Sequence, residues 1–276
     1  MRVKIRPMAP AEVPAAAEFC AGNAPGAVSA ECRRRRRYYL QERLGAGSTV
    51  LFAVKEGIPR DVKYPDGARV PGEELASVGG NLVVGLAEYG PPALSPHPVR
   101  GERILHLNCL RVLEPFRRRG VGTELAQAFV RAARKAGGGS VVAWKSDDPP
   151  YPYGPVGFFR GFGFREVIAD GPRKLMYLDY GEPPPEPIKP EPLPYPVSRV
   201  TVFWNGACPG CVWGMREIAD EIERRPGADV KLVGTDKRED VERYGVMCGL
   251  AVRGKIIEQR AVTWDDVDAA PERDNR

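Results

Sequence analysis

The chain has 276 residues, 43% hydrophobic and 28% charged, which is the balance of a globular protein with room for two domains that each bury a core. No run of about 18 apolar residues occurs, and Met1-Arg2-Val3-Lys4-Ile5-Arg6 alternates like a strand rather than a signal peptide, so a cytoplasmic location with no membrane partner is expected. Six cysteines are too sparse for a disulfide scaffold, and charge is uneven: residues 1–180 hold 27 Lys/Arg against 18 Asp/Glu, residues 198–276 hold 13 against 15, so the N-terminal part suits an anionic partner.

In chain order, the pattern predicts a strand over 3–7 and helices over 11–19 and 30–44. Arg33 to Arg37, followed by Tyr38-Tyr39, superficially suggests nucleic acid. Consecutive arginines on a helix point around its whole circumference, so a solvated face is the better reading and no nucleic-acid partner is expected. Strands over 49–55 and 75–88 follow, the second ending at Glu88, with loops around 59–72 and 91–103.

An apolar strand over 107–113, containing Leu110, Arg111 and Val112, then enters Glu114-Pro115-Phe116 and the run Arg117-Arg118-Arg119-Gly120-Val121-Gly122-Thr123. Leu125, Ala128, Phe129 and Ala132 recur at 3–4 spacing and predict an amphipathic helix. Glycines let the backbone turn without a Cβ clash, and the first N–H groups of a helix converge on an anion with help from the helix dipole and the arginines. The segment reads as a pyrophosphate cradle. A strand over 140–145, a short helix over 155–161 and strands over 164–168 and 174–179 complete this part.

Arg117, Gly120 and Gly122 satisfy the R/Q-x-x-G-x-G/A signature of the GNAT N-acetyltransferases, which this stretch resembles. The element order over 1–180 is also that of the GNAT fold, a mixed α/β architecture with a mixed sheet flanked by helices. Phe158-Phe159-Arg160-Gly161-Phe162-Gly163-Phe164 is similar to the family's second landmark, beside the acceptor thiol. The resemblance implies acetyl-CoA as cofactor, bound through Leu110, Arg111, Val112, Arg117, Arg118, Arg119, Gly120, Val121, Gly122 and Thr123. It also implies an oxyanion donor in the backbone near Leu110 to Val112.

Acetyl transfer to an amine needs a base and an acid as well. His106 lies eleven residues before Arg117, where histone-type members carry a glutamate base, and Glu88 is the other candidate. The acid's usual tyrosine is replaced by Phe159, which cannot donate a proton; Tyr153 or Tyr151, a few residues upstream, could take its place.

From Gly181 to Val197 the chain holds eight prolines and predicts an extended spacer of up to ~40 Å at about 3.1 Å per residue, or a strap docked through Ile188, Leu193 and Tyr195. Beyond it, a strand over 200–204 leads into Cys208-Pro209-Gly210-Cys211, a helix over 212–224, a strand over 230–235, a helix over 238–244, a hairpin over 250–257 and a helix over 263–269. Strand, C-x-x-C, helix resembles the opening of thioredoxin-like domains, and the fusion as a whole resembles YoaP-type acetyltransferases. Cys208 would then be an activated thiol at a helix N-terminus and Cys211 its resolving partner; Cys248 adds a third sulfur for soft-metal capture or redox exchange. No nearby histidine completes a zinc set, and the usual cis-proline position holds Met247-Cys248.

The sequence therefore points to an acetyl-CoA-dependent N-acetyltransferase acting on a small-molecule or peptide amine, with a thioredoxin-like accessory domain. A homodimer is left open. The rival is a thiol-redox or soft-metal protein whose first half only binds CoA. A purely structural protein, suggested by the spacer, is a third option.

Overall fold

The structure is a computed structural model, described over residues 2–22, 26–144, 154–170, 173–189, 200–225, 229–252 and 255–258. It divides into two compact units: Met1–Gly22, Leu40–Ser95 and Val99–Pro187 form the first, and Asn23–Tyr39, Pro96–Pro98 and Ile188–Arg276 the second.

In the first unit, β1 (Val3–Pro7), β2 (Thr49–Lys55), β3 (Asn81–Gly90), β4 (Leu105–Val112), β5 (Gly138–Trp144), β6 (Arg165–Asp170) and β7 (Arg173–Asp179) make a mixed sheet in the order β1-β2-β3-β4-β5-β7-β6. Neighbours run antiparallel except β4 and β5, which are parallel. β2 and β3 are buried along nearly their whole length, as expected of central strands covered on both faces. Its helices are α1 (Val13–Ala21), α3 (Val121–Ala136), α4 (Val156–Arg160) and, from Leu40 on, the end of α2 (Gly26–Gly45). α3 buries Val121, Leu125, Ala126, Phe129 and Ala133 and ends at Gly137, whose φ of 99° permits the left-handed cap that returns its N–H to the Ala133 carbonyl. Ala128 and Ala132 are only half-buried, so the packed stripe runs through Ala126 and Ala133 instead.

Three local features depart from the expected pattern. The strand expected over 75–88 is a hairpin, Ser77–Val78 returning into β3 through Gly79-Gly80, with φ of 53° and 73° as a tight two-residue turn requires. The loop around 59–72 holds a second hairpin, Asp61–Lys63 against Arg69–Pro71. The proline-rich segment begins as a docked strap: Glu186–Pro187 pairs antiparallel with Val99–Arg100, the Ile188 N–H donates to the Pro98 carbonyl at 2.8 Å, and Ile188 is buried. Leu193 and Tyr195 lie outside the described residues.

The second unit contains β8 (Val200–Trp204), α5 (Pro209–Glu223), β9 (Val230–Gly234), α6 (Arg238–Tyr244), β10 (Gly249–Val252) and β11 (Lys255–Glu258), with sheet order β9-β8-β10-β11. β8 and β9 are parallel and the other pairs antiparallel. β8 alternates between two cores: Val200 and Val202 pack with Met215, Ala219 and Ile222 of α5, and Phe203 packs with Val233, Tyr244 and Val246. The helix expected over 263–269 lies outside the described residues.

The first part of α2 belongs to this second unit, which corrects the reading of the arginine run. Arg34 and Arg37 face solvent, but Arg35 stacks 3.9 Å over the Trp204 ring and Arg36 is only 1% exposed, beside Tyr39. A planar guanidinium suits such stacking.

Candidate functional site

The parallel β4–β5 ladder covers only Leu105–Gly139, His106–Ser140 and Leu107–Val141. At the same point the β3–β4 register slips: Glu88 faces Cys109 and Tyr89 faces Leu107, leaving Asn108 as an extra residue. This is a β-bulge, which bends a strand and terminates pairing. Beyond it Cys109, Leu110 and Arg111 are half-exposed in the middle of a sheet, and among the described residues the ladder with β5 does not continue alongside them. A cleft thus opens between adjacent strands.

The face each residue presents follows from its contacts. Tyr89 touches Phe129 of α3, and a Cβ at Gly122 of α3 would lie 3.7 Å from Val112 and 3.8 Å from Leu110, so Leu110 and Val112 face α3. Arg111 faces the other way and donates to the Cys20 carbonyl of α1 at 2.6 Å. Glu88 and Cys109, paired across the strands, share that second face.

α3 begins directly beside this opening. Gly120 is its N-cap in a left-handed conformation (φ 84°), Arg118 also has positive φ (55°), and the Arg117 side chain donates to the Val112 carbonyl at 3.3 Å, tying the turn to β4. The first N–H groups of α3, from Val121, Gly122 and Thr123, have no intrahelical acceptors. Arg117, Arg118, Arg119 and Gly120 are exposed around them. The predicted cradle residues are therefore brought together, with a positive rim around the positive end of a helix. The Phe158 ring of α4 would lie 3.9 Å from a Cβ placed on Gly122, so the second aromatic landmark closes one side of the same space.

The candidate bases separate. His106 is fully buried in the closed half of the β4–β5 pair, its Nδ1 within 2.8 Å of the Ser140 hydroxyl. Glu88 is also buried, at 1% exposure, but sits opposite the first residue past the bulge. Phe159 is buried among Phe158 and Phe164, and Tyr151 and Tyr153 lie outside the described residues. Tyr64, in the turn of the second hairpin, is half-buried, and burial pushes its phenol above the ordinary value, with Arg111 opposing and Glu114 adding to the rise.

The thiol site lies wholly within the second unit. Cys208 is the half-exposed N-cap of α5, and Cys211 sits one turn on at 1% exposure. The disulfide, however, joins Cys211 to Cys248, not to Cys208. The reason is register: Phe203 pairs with Gly249, so β10 brings Cys248 beside the start of α5, with Cα atoms 6.2 Å apart, inside the range a disulfide needs. Such proximity comes from strand pairing and is invisible in sequence spacing. Among the described residues no group of three or more His, Cys, Asp or Glu is arranged to hold a metal ion.

Residues 58–164 match the model of the acetyltransferase (GNAT) family. No curated protein matches the chain. Similar solved structures include PaiA N-acetyltransferase from Thermoplasma acidophilum in complex with coenzyme A (12% identity, 65% of this chain and 100% of that one, TM-score 0.41). They also include a GNAT family acetyltransferase from Brucella melitensis with acetyl-CoA (17%, 66% and 92%, 0.38) and YhbS from Escherichia coli with CoA (12%, 66% and 83%, 0.40). The matched stretch, from the loop before the second hairpin to the start of β6, is thus similar to the acetyltransferase (GNAT) family, and it lies within the mixed sheet of the N-terminal unit.

Proposed function

We propose that the N-terminal unit is an acetyl-CoA-dependent N-acetyltransferase acting on a small-molecule or peptide amine. The observation that carries this reading is the parting of β4 from β5 at the Asn108 bulge, directly beside the N-terminus of α3. Acetyl-CoA, when bound, supplies a thioester that an amine can attack. The N–H groups of Val121, Gly122 and Thr123, with Arg117, Arg118 and Arg119 around them, would hold its pyrophosphate. The backbone of Leu110, Arg111 and Val112, beyond the end of the β4–β5 ladder, would align the acyl arm and donate to the developing oxyanion. Arg111 contributes through its backbone, since its guanidinium is engaged on α1.

Glu88 is the favoured base because it lies at the opened end of the strand pair, whereas Ser140 holds the His106 ring in the closed end. With Phe159 unable to donate, water, Tyr153 or Tyr151 would protonate the leaving thiolate. The C-terminal unit is read as thioredoxin-like; its βαβαββ order and the placement of Cys208 at the start of α5 support this.

Acetyl-CoA turnover against a panel of polyamines, amino acids and peptide N-termini tests the proposal. Saturable, acceptor-dependent release of free CoA is expected. CoA binding without turnover would favour the second reading, a CoA-binding module on a thiol protein, which Phe159 motivates. Absence of both overturns the proposal.

A further inference from the structure

The disulfide in the second unit is buried: Cys211 is 1% and Cys248 7% exposed. Cys208 is different. It is half-exposed, packs against the core cluster that contains both bonded cysteines, and occupies the N-cap of a helix fifteen residues long. Its carbonyl accepts from the Cys211 N–H at 2.9 Å, and the Asn205 N–H donates to the Cys211 sulfur at 3.2 Å, so Cys211 is held on the same turn as Cys208. Cys32 is a fourth sulfur nearby. It is fully buried, its thiol donates to the Pro209 carbonyl at 3.5 Å, and burial raises its pKa, with Glu31 and Cys208 adding to the rise. It is therefore held as a neutral thiol and does not compete as a nucleophile.

We propose that Cys208, Cys211 and Cys248 form a three-cysteine thiol–disulfide relay, in which Cys208 carries exchange between a small thiol in solution and the buried Cys211–Cys248 bond. The Cys208 thiolate, its proton given to water, attacks the Cys211 sulfur. The Cys208–Cys211 bond forms as Cys211–Cys248 breaks, and the released Cys248 thiolate takes a proton; no net oxidation occurs. A solution thiolate then attacks the Cys208 sulfur, releasing Cys211 as a thiolate that is protonated. A second solution thiolate removes the first as the small disulfide, regenerating Cys208. Overall, two small thiols become one small disulfide while Cys211 and Cys248 gain the two electrons and two protons. The CPGC motif thus works as the exposed end of a longer path rather than as a self-contained pair.

The inference is independent of the acetyltransferase reading, since the test contains no CoA. Reduction of the oxidised full-length protein by reduced glutathione would be followed by quenched alkylation and peptide mass spectrometry. Cys208→Ser is expected to slow loss of the Cys211–Cys248 bond at least tenfold, whereas Cys32→Ala leaves the rate unchanged. Under oxidised glutathione, Cys248→Ser is expected to accumulate a Cys208–Cys211 disulfide. Reduction of Cys208→Ser at the wild-type rate would overturn the relay and make the disulfide a structural staple. Failure of a folded Cys248→Ser protein, checked by circular dichroism, to form Cys208–Cys211 would overturn the exchange step.

Discussion

At the residue scale, Gly120 and Gly122 would serve the proposed cradle for different reasons. Gly120 adopts φ 84° with open space around it, so a β-branched residue there strains the backbone rather than clashing. Gly120→Val is expected to lower stability by about 1–2 kcal/mol in chemical denaturation. Gly122 has ordinary helical backbone, and a Cβ there meets neighbours only at 3.7–3.9 Å, so the fold tolerates substitution while an anion's close approach does not. Gly122→Leu is expected to weaken CoA binding at least about tenfold, roughly 1.4 kcal/mol, at an unchanged melting temperature; calorimetry with equal affinities would remove the cradle assignment. Glu88→Gln should depress kcat/KM at least about tenfold in acceptor-dependent turnover. Unaltered turnover would pass the proton to water or to His106.

At the scale of elements, the turn into α1 shows how one carboxylate organises a strand end. Glu12 accepts from both Arg6 guanidinium nitrogens at 2.6 and 2.7 Å and from the Ala9 N–H at 2.8 Å. The hydrogen bonds from Arg6 chiefly, then from Ala9, hold its carboxyl below the ordinary value. A folded pKa below the unfolded one means that this stabilisation is present at neutral pH and is lost as pH falls through the folded pKa. Glu12→Gln should therefore cost about 0.5–1 kcal/mol at pH 7, a partly exposed pair being worth little more, and the gap from wild type should close in acid. Urea melts at the two pH values check this. In the second unit, the Cys211–Cys248 bond closes a sequence separation of 37 residues, so reduction should lower that unit's stability by about 3–4 kcal/mol on loop entropy alone. Melts with and without reductant measure it.

At the scale of the whole molecule, what was legible in the sequence was what local pattern encodes. The helix α3 with Leu125 and Phe129 on its packed face, the Arg117 to Gly122 turn and the strand before Cys208 all follow from periodicity and turn chemistry within a few residues. What pairing decides was not legible. The Asn108 bulge depends on β3 and β4 finding a slipped register, Cys248 reaches Cys211 only because Phe203 pairs with Gly249, and Arg35 stacks on Trp204, far away in sequence. The strap at Glu186 to Ile188 was equally hidden, since prolines advertise extension but not what the extended segment pairs with. No helix among the described residues is long and apolar enough to cross a membrane.

The central claim is that the opened β4 backbone and the first turn of α3 hold acetyl-CoA together. Hydrogen exchange on the full chain, with and without acetyl-CoA, addresses it at the amides themselves. The account predicts slowed exchange in two separate peptides, one spanning Cys109 to Val112 and one spanning Gly120 to Thr123, with no comparable change at Cys208 to Val212. Saturating acetyl-CoA that leaves both peptides exchanging as before would contradict it.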